Sequence, residues 1–528
     1  MTRLLTSLIG IVALATFMTA ASPGEAKTFR FAFQGDVASM DPYALAENFS
    51  TAFHHNIHEP LVRYDAKMKL EPSLATSWEI VNPTTWRFHL RKGVKFHNGS
   101  KFDADDVLFS LKRAQSEGSD MASYVHSIVE ARKIDPYTVD LVTEKPDPIL
   151  ANEIATWYMM DKEWAEANGA VEPVNLGKNR ENYATLHANG TGPFKLVSRE
   201  PGVRTVLEVN NDWWDKPNQK FNVTKVVFTP IGSDATRTAA LLSGELDMMY
   251  PAPVQDVKRI NASGVARVMQ GPEFRTIFLG MDQERDELLY SSVKGKNPLK
   301  DKRVRQAFYQ AIDIEAIRTK VMRGAATPAG LMVSPGINGF DPALNDRLPY
   351  DPEKSKQLLA EAGYPKGFDI QLDCPNDRYV NDEQICQAVV AMLARIGVNV
   401  NLLAQTKSKF FQKLKRHDVS FYLLGWIPDD LDSGSVISNL MVPPAEGGLA
   451  WNGGGYGNPR ITELSKLIAT EVDPKKRQAM ISECFKILKD DVGYIPLHQQ
   501  ALSWGVRKGV HVVQRPDNAL HYWYITID

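Results

Sequence analysis

The stretch FDIQLDCPNDRYVNDEQICQAVVAMLARIGVNVNLLAQTKSKFFQKLKRHDVSFYLLG, residues 368–425, decides the fold class. Its runs FDIQLD (368–373), VNVNLL (398–403) and VSFYLLG (419–425) are short, apolar and rich in branched or aromatic side chains, as strands are. Between the first two, Ile385, Val389, Met392, Leu393 and Ile396 recur at helical spacing. KFFQKLKRH supplies a second helix before the third run. The rhythm extends back to about residue 301 through VRQAFYQAI and EKSKQLLAEAG. Strands alternating with helices predict an α/β lobe on a mostly open sheet.

Upstream, to about residue 275, the texture differs. FRFAFQ (29–34), TWRFHLRKGVKFH (85–97), YTVDLVTE (137–144), FKLVSRE (194–200) and VTKVVFTPI (223–231) read as short strands, punctuated by Gly, Pro, Asn and Asp. One helix is predicted from Asp105 to about Gln115, because the acids from Asp103 to Asp106 suit a helix N-terminus. No internal repeat or low-complexity tract appears. A chain of 528 residues exceeds what one core usually serves, so two or more lobes are expected.

The first residues predict the compartment. Arg3 precedes an apolar or small run, Leu4 to Ala21, which Ser22, Pro23 and Gly24 break before the small-x-small site Gly24-Glu25-Ala26. This is the pattern of a cleaved secretory leader, residues 1–26, with Lys27 as the mature start. Net charge is −2 with both signs mixed, which marks neither a nucleic-acid surface nor a polybasic membrane patch. In an exported chain thiols tend to be oxidised. Cys374 ends the first strand of the opening stretch and Cys386 lies in the next helix's first turn, so the two could meet across the loop. Such a bridge is worth about 3 kcal/mol in the chain-entropy model. The same positions also suit two buried free thiols. Cys484, inside a helical pattern, reads as a core thiol.

GWIPDD (425–430) follows the third strand, where an open α/β sheet places its ligands. Trp426 offers an apolar face, and Asp429 a carboxylate for a cation leaving water. The plainer alternative is a turn with solvated acids. Asp430, next in the chain, is expected to point elsewhere. Arg378, in the loop after strand 368–373, could grip a carboxylate with two hydrogen bonds or pair with Asp377 or Asp382. His54 and His58 share one helical spacing but lack a companion ligand, so a polar helix face is expected rather than a metal site. No nucleophile elbow, H-E-x-x-H or Walker loop is present.

LEPSLATSWEIVNPTTWRFHLRKGVKFHNGSKFDADDVLFSLKRA (70–114), NGTGPFKL (189–196), LLSGELDMMY (241–250) and KRVRQAFYQAID (302–313) resemble the family-5 extracellular solute-binding proteins. The resemblance covers nearly the whole mature chain. It implies the large, three-subdomain form of the two-lobed periplasmic-binding-protein fold. Lobe I would comprise about 27–275 plus 497–528, with an inserted subdomain at about 76–188, and lobe II about 276–496. Two crossing strands, near Phe274–Gly280 and Ile495–Gln500, would form the hinge. The implied function is a periplasmic receptor that delivers a peptide, or a similar amine-bearing solute, to the permease and ATPase of an ABC importer. It implies no enzyme activity, cofactor or metal, and a monomer. The same scaffold also serves opines, sugar conjugates, metal chelates and haem-like ligands. In peptide-binding members an aspartate three residues after the Gly-Trp tryptophan receives the α-ammonium group, and that position is Asp429 here. The continuation LDSGSV departs from the family's usual sequence. Arg378 matches the family's arginine loop, and Asn48, His498 and Gln499 are pocket candidates on family position alone. An exported hydrolase is the remaining alternative, disfavoured by the missing motifs.

Overall fold

The computed structural model describes residues 27–528 apart from 179, 429 and 450, so the predicted leader at 1–26 lies outside the described residues. One sheet runs through the molecule. Its strands are β1 (Lys27–Phe33), β2 (Phe194–Glu200), β3 (Arg204–Val209), β4 (Val223–Pro230), β5 (Met248–Tyr250), β6 (Ala266–Met281), β7 (Asp369–Pro375), β8 (Asn399–Gln405), β9 (Phe421–Trp426) and β10 (Ile495–Arg507). They hydrogen-bond in the order β8-β7-β9-β6-β10-β5-β1-β4-β3-β2, and Ala326–Pro328 pairs with β10 off this path. The helices that matter for the site are α1 (Asn48–His54), α2 (Ala104–Ala114), α3 (Leu150–Glu153), α4 (Asp382–Ala394), α5 (Lys407–Lys415) and α6 (Pro474–Asp491).

The opening stretch folds as its periodicity predicts. β7 pairs in parallel with β8 and with β9, and α4 and α5 lie in the two connections. The helical repeat of α4 buries Ile385, Val389, Met392 and Leu393 against Ile370 and Leu372 of β7. Each side chain of this kind contributes about 1.5–3 kcal/mol when fully buried. Cys374 and Cys386, from the same two elements, are joined by a disulfide. Cys484 is a buried free thiol, and burial pushes it up to about 12.

The N-terminal texture yields a separate four-stranded antiparallel sheet. It is ordered Ala75–Asn82, Thr85–Leu90, Thr138–Thr143, Ile128–Asp135 and covered by α2. Asp103 caps α2 by accepting from the Asp105 N–H, and Asp106 returns the bond to the Asp103 N–H, so two of the helix's unpaired donors are satisfied. Trp86, Phe88, Val107, Leu111, Leu141 and Trp157 give this sheet its own core. The chain's last residues, including Leu520, Tyr522 and Ile525, pack with Phe29, Phe53 and Phe228, so the C-terminus returns to the N-terminal strands.

β6 and β10 are the long strands that join the two halves of the sheet. They pair antiparallel along their length, with β9 on the far edge of β6 and β5 on the far edge of β10. Their register shifts between Pro272 and Thr276. Pro272 has no N–H to give to the ladder, so the strand bulges there.

Candidate functional site

The bulge aims a cation. Arg275 leaves β6 at the register shift and lines a cleft with about 1170 Å3 of empty space, open to solvent. Its Nε donates to Glu273 Oε1 at 3.0 Å and one Nη donates to Asn48 Oδ1 at 3.3 Å. Arg275 and Glu273 are both buried.

Arg378 enters the same cleft from the loop after β7. The disulfide holds the start of this loop to α4. Asp382, at the head of α4, accepts from the N–H groups of Arg378 at 2.9 Å and Tyr379 at 3.0 Å, which fixes the backbone. The Arg378 side chain meets neither Asp377 nor Asp382 in an ion pair. Its Nε lies 2.9 Å from Glu47 Oε1, a close ion pair whose N–H direction is not aligned for a hydrogen bond. Lys407, which opens α5, donates to Glu47 Oε2 at 3.2 Å. Glu47 also caps α1, accepting from the N–H groups of Phe49 and Ser50 at 3.2 Å each. Burial alone would push the Glu47 carboxyl up, but Arg378 and then Lys407 pull it well below the usual carboxylate range. One carboxylate therefore clasps two cations that come from the other half of the sheet.

A second part of the cleft lining is acidic. Trp426 ends β9 and lines the cleft, its ring 5.7 Å edge-on from Trp451. Trp426 Nε1 is buried and has no hydrogen-bond partner among the described residues. Asp430 lines the cleft rather than pointing away, contrary to the sequence expectation. Its Oδ1 accepts from the Asp432 N–H at 3.0 Å and the Ser435 hydroxyl at 2.8 Å, a local turn that pulls the side chain inward. Arg477 of α6 holds Asp432 with two hydrogen bonds of 2.6 Å. Glu153 lines the cleft from α3.

Of the residues expected from sequence, Trp426, Arg378 and Asn48 line the cleft. Asp429 lies outside the described residues. His498 and Gln499 are not among the described residues that line it. Both sit where β10 is paired on both edges, by Thr276–Ile277 of β6 and by Thr327–Pro328, so the sheet encloses them. Burial, followed by Arg347, lowers the His498 imidazole to about 3. His54 and His58 form no polar helix face: both are buried, with rings 6.0 Å apart. Glu47, Glu153 and Arg275 were missed. Arg275 had a signal, the Gly271-Pro272 interruption in QGPEFR, which marks a bulge inside an otherwise regular strand. Glu47 and Glu153 had none.

The model of the bacterial extracellular solute-binding proteins, family 5 Middle, matches residues 69–447. The dipeptide-binding protein of Escherichia coli K12 is 27% identical over 451 residues, 80% of this chain and 80% of that protein. The periplasmic binding protein DppA of Helicobacter pylori, solved with the peptide STSA, superposes with a TM-score of 0.84 at 23% identity, covering 95% of this chain and 98% of that one. AgaA of A. tumefaciens R10, solved with agropinic acid, superposes with a TM-score of 0.82 at 21% identity, covering 95% of this chain and 99% of that one. These likenesses carry the two-lobed α/β fold. Among the described residues, no helix is long and apolar enough to cross a membrane.

Proposed function

The chain belongs to the bacterial extracellular solute-binding proteins, family 5, and from that premise we propose that it is a periplasmic receptor that encloses a peptide and delivers it to an ABC importer. The observation that carries this reading is the charge separation along one cleft. Arg275 and Arg378 belong to one cluster in its lining, beside Glu47, and Glu153 and Asp430 to another, beside Arg477. A free peptide carries the complementary pair, a carboxylate and an ammonium group, and closing a cleft on such charges is costly unless each finds a partner. Asp429, between Trp426 and Asp430 in the chain, is the ammonium partner in this reading, and Arg275 and Arg378 face the carboxylate. Trp426 adds an apolar wall with an unused N–H.

The lobes are 27–275 with 497–528, including the insert at 76–188, and 276–496. Their hinge lies where β6 and β10 cross between the halves, near 274–280 and 495–500. The receptor is exported by cleavage after residue 26, acts as a monomer, and performs no chemistry on its ligand. Mass spectrometry of ligand released from the natively purified protein tests the peptide reading. Short peptides are expected. Recovery of an opine-like solute instead would establish the second reading, which the likeness to AgaA with agropinic acid favours. Small-angle scattering should show compaction when the recovered ligand is restored, and its absence would sink the hinge. Peptides should be recovered intact after incubation; cleavage would reinstate the hydrolase alternative.

A further inference from the structure

Glu153 lines the acidic part of the cleft, and Asp147 lies buried behind it with no cation between the two acids. Oε2 of Glu153 and Oδ2 of Asp147 are both buried and neither meets a donor group among the described residues; the two carboxyls join only through the proton that Glu153 holds. Asp147 is only 6% exposed. From the other wall, Asp430 and Asp432 act on the same carboxyl: burial first, then Asp147 and Asp430, hold Glu153 well above the usual carboxylate range. Arg477 offsets part of this crowding through its charge on Asp430 and Asp147, but it has no donor left for Glu153: both of its terminal nitrogens are engaged by Asp432 and its Nε by the Ile468 carbonyl. Buried carboxylates are stable only when a cation pairs with them or a proton neutralises them.

We infer that the ligand carries a second cationic group, a lysyl or arginyl side chain, seated against Glu153 and Asp147 with Asp430 facing it across the cleft. This rests on the peptide reading above. An ammonium or guanidinium group there donates to both vacant oxygens. It also places a positive charge between two acidic walls that otherwise repel as the cleft closes. Glu153 then ionises and its proton passes to solvent. Glu153 sits on the inserted region and Asp430 on the segment after β9, so the cation bridges the two sides of the cleft.

Calorimetry on the full mature protein, freed of ligand, tests this with matched peptides of two to four residues that differ only in carrying lysine, norleucine or glutamate. The lysine member should bind about 10-fold or more tighter than the norleucine member, with glutamate weakest. Glu153→Gln keeps the shape and offers its amide to Asp147. It should erase about 10-fold of the lysine preference, read as the lysine-to-norleucine affinity ratio within the same variant. Asp147→Asn should act in the same direction, and a thermal melt no lower than wild type shows that each variant is folded. Equal or tighter binding of norleucine overturns the inference and leaves the peptide reading standing. Binding of no peptide in any set overturns both.

Discussion

The two ends of the cleft hold opposite charge and are built on opposite plans. At the cationic end, Arg378 and Lys407 meet Glu47, and Arg275 meets Glu273, so each buried cation already has a carboxylate. At the acidic end, Arg477 neutralises Asp432, while no cation meets Oε2 of Glu153 or Oδ2 of Asp147. The first is a clasp between the halves that stands without a ligand, and its three cations outnumber its two carboxylates, which leaves charge for a ligand's carboxylate. The second is completed only by a ligand. The difference teaches that closure and selectivity are divided between the ends: Glu47 helps hold the halves together, and the acids choose what lies between them.

Removing the clasp should have the largest effect. Glu47→Gln leaves Arg378 and Lys407 without their charge partner in the closed form, a loss of about 3–5 kcal/mol for a broken buried pair. Because the partners come from different halves, an open cleft lets water reach them. The loss should therefore appear as about 150- to 5,000-fold weaker ligand binding and reduced compaction in scattering, with a nearly unchanged melting temperature. A melting temperature that fell as far as the affinity would make the clasp a folding element instead.

Asp429→Asn tests the proposed ammonium partner. It should weaken binding of the native ligand by about 2–5 kcal/mol, or about 30-fold to several thousand-fold, as measured by calorimetry. A loss below threefold would return GWIPDD to a simple turn.

Changing pH should separate the ends. The Glu47 carboxyl is lowered, so its contribution is present above the ordinary carboxylate pKa and is lost only as pH falls through the lowered value. Glu153 is raised, so its neutral form favours folding at low pH and that contribution is lost as pH rises through the raised value. Binding a cation requires the ionised form. As pH falls through the raised value, affinity for a lysine peptide should therefore fall while affinity for its norleucine counterpart holds. Asp147, Asp430, Asp432 and Arg477 surround Glu153 and set the position of that change. Parallel curves for the two peptides would remove the distinction between the ends.

Asp430→Asn should have the smallest effect. The amide keeps an Oδ1 to accept from the Asp432 N–H and Ser435, so the turn survives. Only one facing charge is lost, across solvent-accessible space, at about 0.5–1 kcal/mol of lysine-peptide binding. A loss as large as that of Glu153→Gln would move the centre of the acidic end to the β9 side.

Much of the cleft's framework is legible in the chain. The branched and aromatic runs at 368–425 specify β7, β8 and β9, because strand and helix periodicities act over a few residues and need no distant partner. Asp103 specifies the start of α2 through its own hydrogen bond. Trp426 follows from its place at the end of β9, whereas the chain left Cys374 and Cys386 open between a bridge and two free thiols, and the fold joins them. What the chain does not display is the company its charges keep. Glu47 carries no signal in the chain; the fold makes it the cap of α1 and brings Lys407, 360 residues away, to its Oε2. His498 and Gln499 look like hinge-side pocket residues until pairing on both edges of β10 encloses them. The sequence by itself determined the elements and their caps, since those depend on neighbours in the chain. The tertiary structure decided which buried charges are paired and which are left for a ligand, since Coulomb energy depends on separation in space and on exclusion of water, and neither is a local property.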